Sequence, residues 1–170
     1  MKRIIPVIAM VLIIAVSPFA RAEGSLSDAE LEAIRTNCVD AQISLQHTQE
    51  SDKLTRINRG YRYEAVLKLM ASFNSRVAEN KIDAPELITI ASDYQKTWDS
   101  FRAEYSEYDD ALSALMRMDC KGQPTTFHDQ LQALRGKRTG LNDRVKEFDT
   151  LLDNYQDGVD KIKQDQGRSQ

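Results

Sequence analysis

Between residues 87 and 115 the apolar and aromatic side chains recur at alternating steps of four and three. The series is Leu87, Ala91, Tyr94, Trp98, Phe101, Tyr105, Tyr108, Leu112 and Leu115. A 3.5-residue repeat held over four heptads describes a helix packed along one seam with left-handed supercoiling. Its start is marked as well. Asp83 is placed to cap the free amides, Pro85 suits the first turn, and Glu86 completes an Asp-x-x-Glu capping box. A chain carrying this seam is committed to an all-α fold.

A second seam follows the same rhythm. Phe127, Leu131, Leu134, Arg138, Leu141, Val145, Phe148, Leu152, Tyr155, Val159 and Ile162 form it, with Arg138 its one polar member. Gly122 and Pro124 separate the two helices, a stop followed by a start. Gly136 and Gly140 lie inside the second seam, each costing about 1 kcal/mol relative to alanine, and they mark either a bend or a close helix contact.

The segment before residue 80 is less regular. Ser27 and Glu30 form another capping box, and Leu31, Ile34, Cys38, Ala41 and Leu45 obey the heptad. Thr48 and Asp52 take the next two seam positions, and residues 46–53 contain no apolar side chain. Leu54, Ile57 and Tyr61 restart the stripe out of phase, and Tyr63, Val66, Met70, Phe73 and Val77 resume it in another register. Such shifts read as stutters, or as a break near Asn58-Arg59-Gly60. One long, locally distorted helix over residues 27–79 is the reading adopted.

Short connections, residues 80–84 and 121–123, force successive helices to turn back on each other. The expectation is an elongated up-down-up three-helix bundle with helices over 27–79, 84–119 and 124–163, and a frayed tail beyond Lys163. Seven glycines and four prolines are too few for an all-β fold that turns every ten residues or so.

The first 22 residues read as an address. Lys2 and Arg3 precede an apolar run from Ile4 to Val16, Pro18 breaks it, and Ala20-Arg21-Ala22 offers a cleavage site before Glu23. That run is too short for an anchor, since a helix needs about 20 residues to span a bilayer. Cleavage leaves 148 residues. Of the chain's 23 basic side chains it removes Lys2, Arg3 and Arg21, and of its 26 acids none, for a net charge of −6. A protein of that sign gains nothing from counterion release on nucleic acid, and anionic lipid repels it on average. Lys53, Arg56, Arg59 and Arg62 do form a basic stripe at three-residue spacing; a solvated face matched by nearby acids is the reading preferred.

Export decides the two cysteines. Outside the membrane, Cys38 and Cys120 are expected to pair, clamping the first helix to the end of the second. Counted from a turn near Ile82, Cys38 is 44 residues away and Cys120 is 38. Six residues are about 9 Å of helix, so the first helix should lose length at its stutters. Below that clamp, Asp52 and Arg138 fall about 14 residues from the common end and Tyr105 about 15. The three predict a polar layer, because a seam arginine needs a carboxylate. The alternative is an Arg138 that snorkels to solvent past Gly136 or Gly140.

Reactive constellations are scarce. HExxH, Gly-rich phosphate loops, GxSxG and EF-hand spacing are absent, so no catalytic residue, metal ligand or cofactor site is assigned. His47 and His128 have no carboxylate at ligand spacing that forms a motif, and Glu104, Glu107, Asp109 and Asp110 read as a solvated flank. Residues 153–158 lack the alternating ligands and terminal glutamate of a calcium loop. Tyr94, Trp98 and Phe101 could line a ligand slot, although aromatic side chains on a heptad seam more often fill a core.

The pattern Cys38 … Asn58-Arg59-Gly60 … Asn74-Ser75-Arg76 … Asp119-Cys120 … Pro124 … Phe127 … Arg135 resembles a group of uncharacterised exported helical-bundle proteins from ultrasmall candidate-phylum bacteria. It covers nearly the whole mature chain and implies an exported bundle, with no activity and no site residues attached.

The functional expectation is a non-catalytic, exported protein of the periplasm, cell wall or exterior. It would act by helix-face contact with another envelope or extracellular protein, without nucleic acid, membrane span or cofactor. A small-ligand carrier using the slot at Trp98 and an exported holdase are the competing classes. Nothing in the pattern sets an oligomeric state.

Overall fold

The computed structural model describes residues 26–167, so the signal peptide expected at residues 1–22 lies outside the described residues. All regular structure among the described residues is helical, in four segments: α1 (Asp28–Thr36), α2 (Cys38–Glu79), α3 (Pro85–Met116) and α4 (Pro124–Gly167). The heptads predict one helix over residues 27–79; the structure divides it at Asn37. There the backbone sits at φ −95°, ψ 13°, and the side-chain amide donates to the Ala33 carbonyl at 2.8 Å. A short polar side chain that bonds its own helix competes with regular winding. α1 thereby turns to pack against α4.

The Ser27 capping box is present: Glu30 N donates to Ser27 Oγ, and Ser27 N donates to Glu30 Oε2. The box expected at Asp83 is not. α3 starts one residue later, with Ala84 as N-cap and Pro85 in the first turn, so Glu86 stands too early to reach back. The preceding reversal sets that start. Lys81 takes φ 56°, Lys81 N donates to Ala78 O, and Ile82 N donates to Val77 O, a Schellman closure with lysine where glycine is usual.

α3 is the middle layer. It packs against both α2 and α4, whereas no Cα of α2 comes within 8 Å of one of α4. The buried side chains recur every seven residues: Tyr63, Met70 and Val77 on α2, and Phe127, Leu134, Leu141, Phe148 and Tyr155 on α4. On α4 the alternate seam residues Leu131, Val145, Leu152 and Val159 are only half-buried, and Arg138 is exposed. The seam packs on α3 and reaches α2 where Phe148 stacks on Tyr63 and the Tyr155 hydroxyl contacts Met70 O and Asn74 Oδ1, while its other edge stays open.

Extending the α2 repeat backwards from Val77 gives Phe73, Met70, Val66, Tyr63, Arg59, Arg56, Asp52, Gln49, Leu45, Gln42 and Cys38. The helix thus holds a single register from end to end, and the stutters expected near residue 54 do not occur. The middle of the seam is polar rather than displaced, and Leu54, Ile57 and Tyr61 belong to the opposite face. Gln42 donates to the carbonyls of Met116 and Met118, and Gln49 donates to Asp109 and Ser113, so polar seam residues still bind α3.

Cys38 and Cys120 are bonded, with their Cα atoms 5.7 Å apart. α2 loses no length to reach that end. Instead α3 stops at Met116, short of the expected residue 119, and the chain from Arg117 to Cys120 leaves the helix. There Arg117 N donates to Ala114 O, Met118 N to Leu115 O and Cys120 N to Met118 O, a turn that carries Cys120 to Cys38. At the other terminus, helix α4 continues past Lys163 to Gly167, where fraying was expected. Gly136 and Gly140 mark no helix contact: a Cβ at either would meet nothing within 4 Å.

Candidate functional site

The polar seam of α2 meets α3 and α4 at Asp52. Arg138 Nη2 donates to Asp52 Oδ1 at 2.8 Å, and the Tyr108 hydroxyl donates to Oδ2 at 2.6 Å. The carboxylate side chain is 18% exposed and the guanidinium side chain 53%. Arg138 therefore lies at an open edge and still reaches its carboxylate, a geometry between an enclosed layer and a snorkelling arginine.

The phenol of this layer is Tyr108, not Tyr105. Helical side chains lean toward their own N-terminus. On α3, antiparallel to α2, that lean lowers the Tyr108 hydroxyl to the level of Asp52. The same lean carries Tyr105 one turn further, where the Arg56 guanidinium covers its ring at 4.8 Å from the centroid. Burial pushes the Tyr108 hydroxyl well above the ordinary tyrosine range, and its bond to the Asp52 carboxylate adds to that shift. Burial also raises Tyr105, with Asp109 adding to the shift and Arg56 opposing it.

Tyr94 and Phe101 are buried, and Trp98 is half-buried. Their rings pack on one another and on neighbours rather than around an enclosed void. Trp98 stacks on Phe101 at 6.1 Å, and Phe148 stands 4.9 Å from Tyr94 and 4.1 Å from Tyr63. Gly60 makes room for the indole, with Trp98 Cη2 only 3.3 Å from the place of a Cβ. The depressions beside Trp98 are open surface hollows of about 580 and 210 Å³.

His47 and His128 do not meet, and among the described residues no three His, Cys, Asp or Glu side chains form a set that could hold a metal ion. His128 Nδ1 and Asp129 Oδ1 are 3.3 Å apart at the exposed start of α4. Of the acids flanking the α3 seam, Glu104 and Glu107 turn toward α4, pairing with Arg144 and Lys137 at 2.9 Å each, whereas Asp109 accepts from Gln49 on α2. Glu147 also accepts from Arg144 and from Thr97, and its carboxyl is held below the usual range chiefly by the Arg144 bond.

Sequence reasoning missed a different surface, the outer face of α2. Val39, Ile43, Leu54, Ile57 and Tyr61 all stand exposed there. At about 100° per residue they fall within an arc of roughly 60°, on the side away from Tyr63 and Met70. The signal was available in the spacing of Leu54, Ile57 and Tyr61, read as a phase shift when it is a second stripe. Comparison with family models, with curated proteins and with solved structures returns no match.

Proposed function

We propose that this is a non-catalytic, exported protein of the cell envelope or exterior. In this reading α2, α3 and α4 form an up-down-up bundle, and the outer face of α2 docks a helix of another envelope or extracellular protein. One observation carries the reading. Of seven exposed large apolar side chains among the described residues, six are on α2 and only Ile88 lies elsewhere. Scattered exposed apolar residues are ordinary, whereas a row on one helix is a contact surface. Leu54 and Tyr61 are 65% and 72% exposed, and steps of three and four are those an opposing helix would engage.

Export is supported by the Cys38–Cys120 bond, which suits an oxidising compartment. Among the described residues no helix is long and apolar enough to cross a membrane.

The test is photo-crosslinking in cells, with a benzophenone amino acid replacing Tyr61 and, as control, Lys146 on α4. A crosslink from position 61 to a distinct polypeptide, lost on adding Leu54→Glu, is the expected result. Crosslinks only to second copies of the chain, or equal crosslinks from position 146, would overturn the reading.

A further inference from the structure

Because α2 and α4 meet only through side chains, with no pair of Cα atoms within 8 Å, a groove of about 500 Å³ runs between them over the aromatic side chains of α3. Its walls carry four arginines, Arg56 and Arg59 from α2 and Arg135 and Arg138 from α4. Asp52 is the one carboxylate that lines it, and both of its oxygens are taken, by Arg138 and by Tyr108. Among the described residues no carboxylate lies within 4 Å of Arg56, Arg59 or Arg135. Ion pairs do form elsewhere on the surface, as in Lys68–Glu64, Lys96–Asp93, Lys137–Glu107 and Arg144–Glu104; what sets the groove apart is that its four guanidinium groups face a single carboxylate.

This concentration is at odds with the whole chain, whose acids outnumber its basic side chains 26 to 23. Like charges gathered in one groove repel one another, and neutral side chains at those seam positions would avoid it. The stacking of Arg56 on Tyr105 also restricts one guanidinium, lowering the ordering cost of a charge-assisted contact. Guanidinium groups on facing walls suit the oxygens of phosphate or carboxylate groups. The volume is that of a small-molecule site. A long polyanion such as nucleic acid would instead meet a chain whose net charge is negative.

We propose that the groove between α2 and α4 binds a small organic anion bearing two or more phosphate or carboxylate groups, held by Arg56, Arg59, Arg135 and Arg138. The site is on the inner side of α2, away from the outer face invoked for partner binding, and either can fail without the other. A neighbouring depression of about 300 Å³ shares Arg135 and Arg138 and is lined by Leu45, Leu131 and Leu134. It offers room for an apolar substituent on the same anion.

The test is calorimetry on the full disulfide-bonded protein at about 50 mM ionic strength, with pyrophosphate, citrate and octyl phosphate as probes. Pyrophosphate or citrate should bind, and Arg59→Gln and Arg135→Gln should each weaken binding about tenfold, the loss expected for one charge-assisted contact. Arg76→Gln, outside the groove, should leave affinity unchanged. Each variant is compared at unchanged thermal midpoint, so a folding defect is not mistaken for lost binding. Octyl phosphate binding that Leu45→Ser weakens would support the proposal and place an apolar tail in the neighbouring depression. No binding of any probe at millimolar concentration, or equal weakening by Arg76→Gln and Arg59→Gln, would overturn it.

Discussion

Trp98 Cη2 stands 3.3 Å from where a Cβ on Gly60 would be, so the largest side chain of α3 fits where α2 presents none. Gly60→Ala should therefore give no net gain, its helix-propensity benefit of about 1 kcal/mol offset by displacement of the indole. Gly158→Ala should destabilise by about 1–3 kcal/mol, because its Cβ would lie 2.6 Å from Leu87 Cδ2, on a fully buried side chain. Gly136→Ala and Gly140→Ala meet open space and should each stabilise by about 0.5–1 kcal/mol. Urea midpoints of the four variants test the ordering.

The Asp52 cluster should show unequal couplings. Arg138→Met with Asp52→Leu is expected to give about 0.5–1 kcal/mol in a double-mutant cycle, since the guanidinium is 53% exposed. Tyr108→Phe should cost more, about 1.5–3 kcal/mol, because its buried hydroxyl donates to a carboxylate. Zero coupling between Arg138 and Asp52 would show that the ion pair adds nothing to stability.

Alkaline pH should unfold the protein through its tyrosines. Burial raises Tyr63, Tyr94, Tyr105, Tyr108 and Tyr155 above the ordinary value of 10.0. The folded state then holds these protons more tightly than the unfolded state. The associated stability is complete below about pH 10 and declines above it, on the order of 1 kcal/mol per pH unit for each such tyrosine. Thermal midpoints between pH 8 and 12 should be flat at first and fall beyond pH 10. Tyr108→Phe should make that fall shallower.

Reduction of Cys38–Cys120 should be costly. The bond closes a loop with a sequence separation of 82, for which the chain-entropy treatment gives about 4–5 kcal/mol. A Cys38→Ser, Cys120→Ser variant should lose a comparable amount in denaturant titrations. A loss under 1 kcal/mol would mean that the reduced unfolded chain is already compact.

The two apolar faces of α2 should respond oppositely to substitution. Leu54→Ser on the exposed face is expected to change stability by less than about 0.5 kcal/mol, whereas Met70→Ala in the core should cost about 2–5 kcal/mol. Chemical denaturation of both variants, with partner capture measured in parallel, separates contact surface from core.

The heptads alone determined the all-α class and the limits of α3 and α4 to within a few residues, since both depend on local periodicity. The pairing of Cys38 with Cys120 followed from their being the chain's two cysteines and from the expectation of export. The division at Asn37 escaped because it turns on one side chain bonding its own helix. Tertiary structure decided what lies across from what. The seam of α2 is unbroken through Gln49, Asp52, Arg56 and Arg59, yet a hydropathy pattern cannot reveal a seam whose middle is polar. Those residues become legible only when α3 supplies Tyr105 and Tyr108 and α4 supplies Arg138. Tyr108 rather than Tyr105 serves Asp52 because side chains lean along an antiparallel helix by about a turn, a displacement that residue counting ignores. The open groove has the same origin: α2 and α4 both pack on α3 and meet each other only through side chains, and only a three-dimensional arrangement specifies which side chains face across that gap.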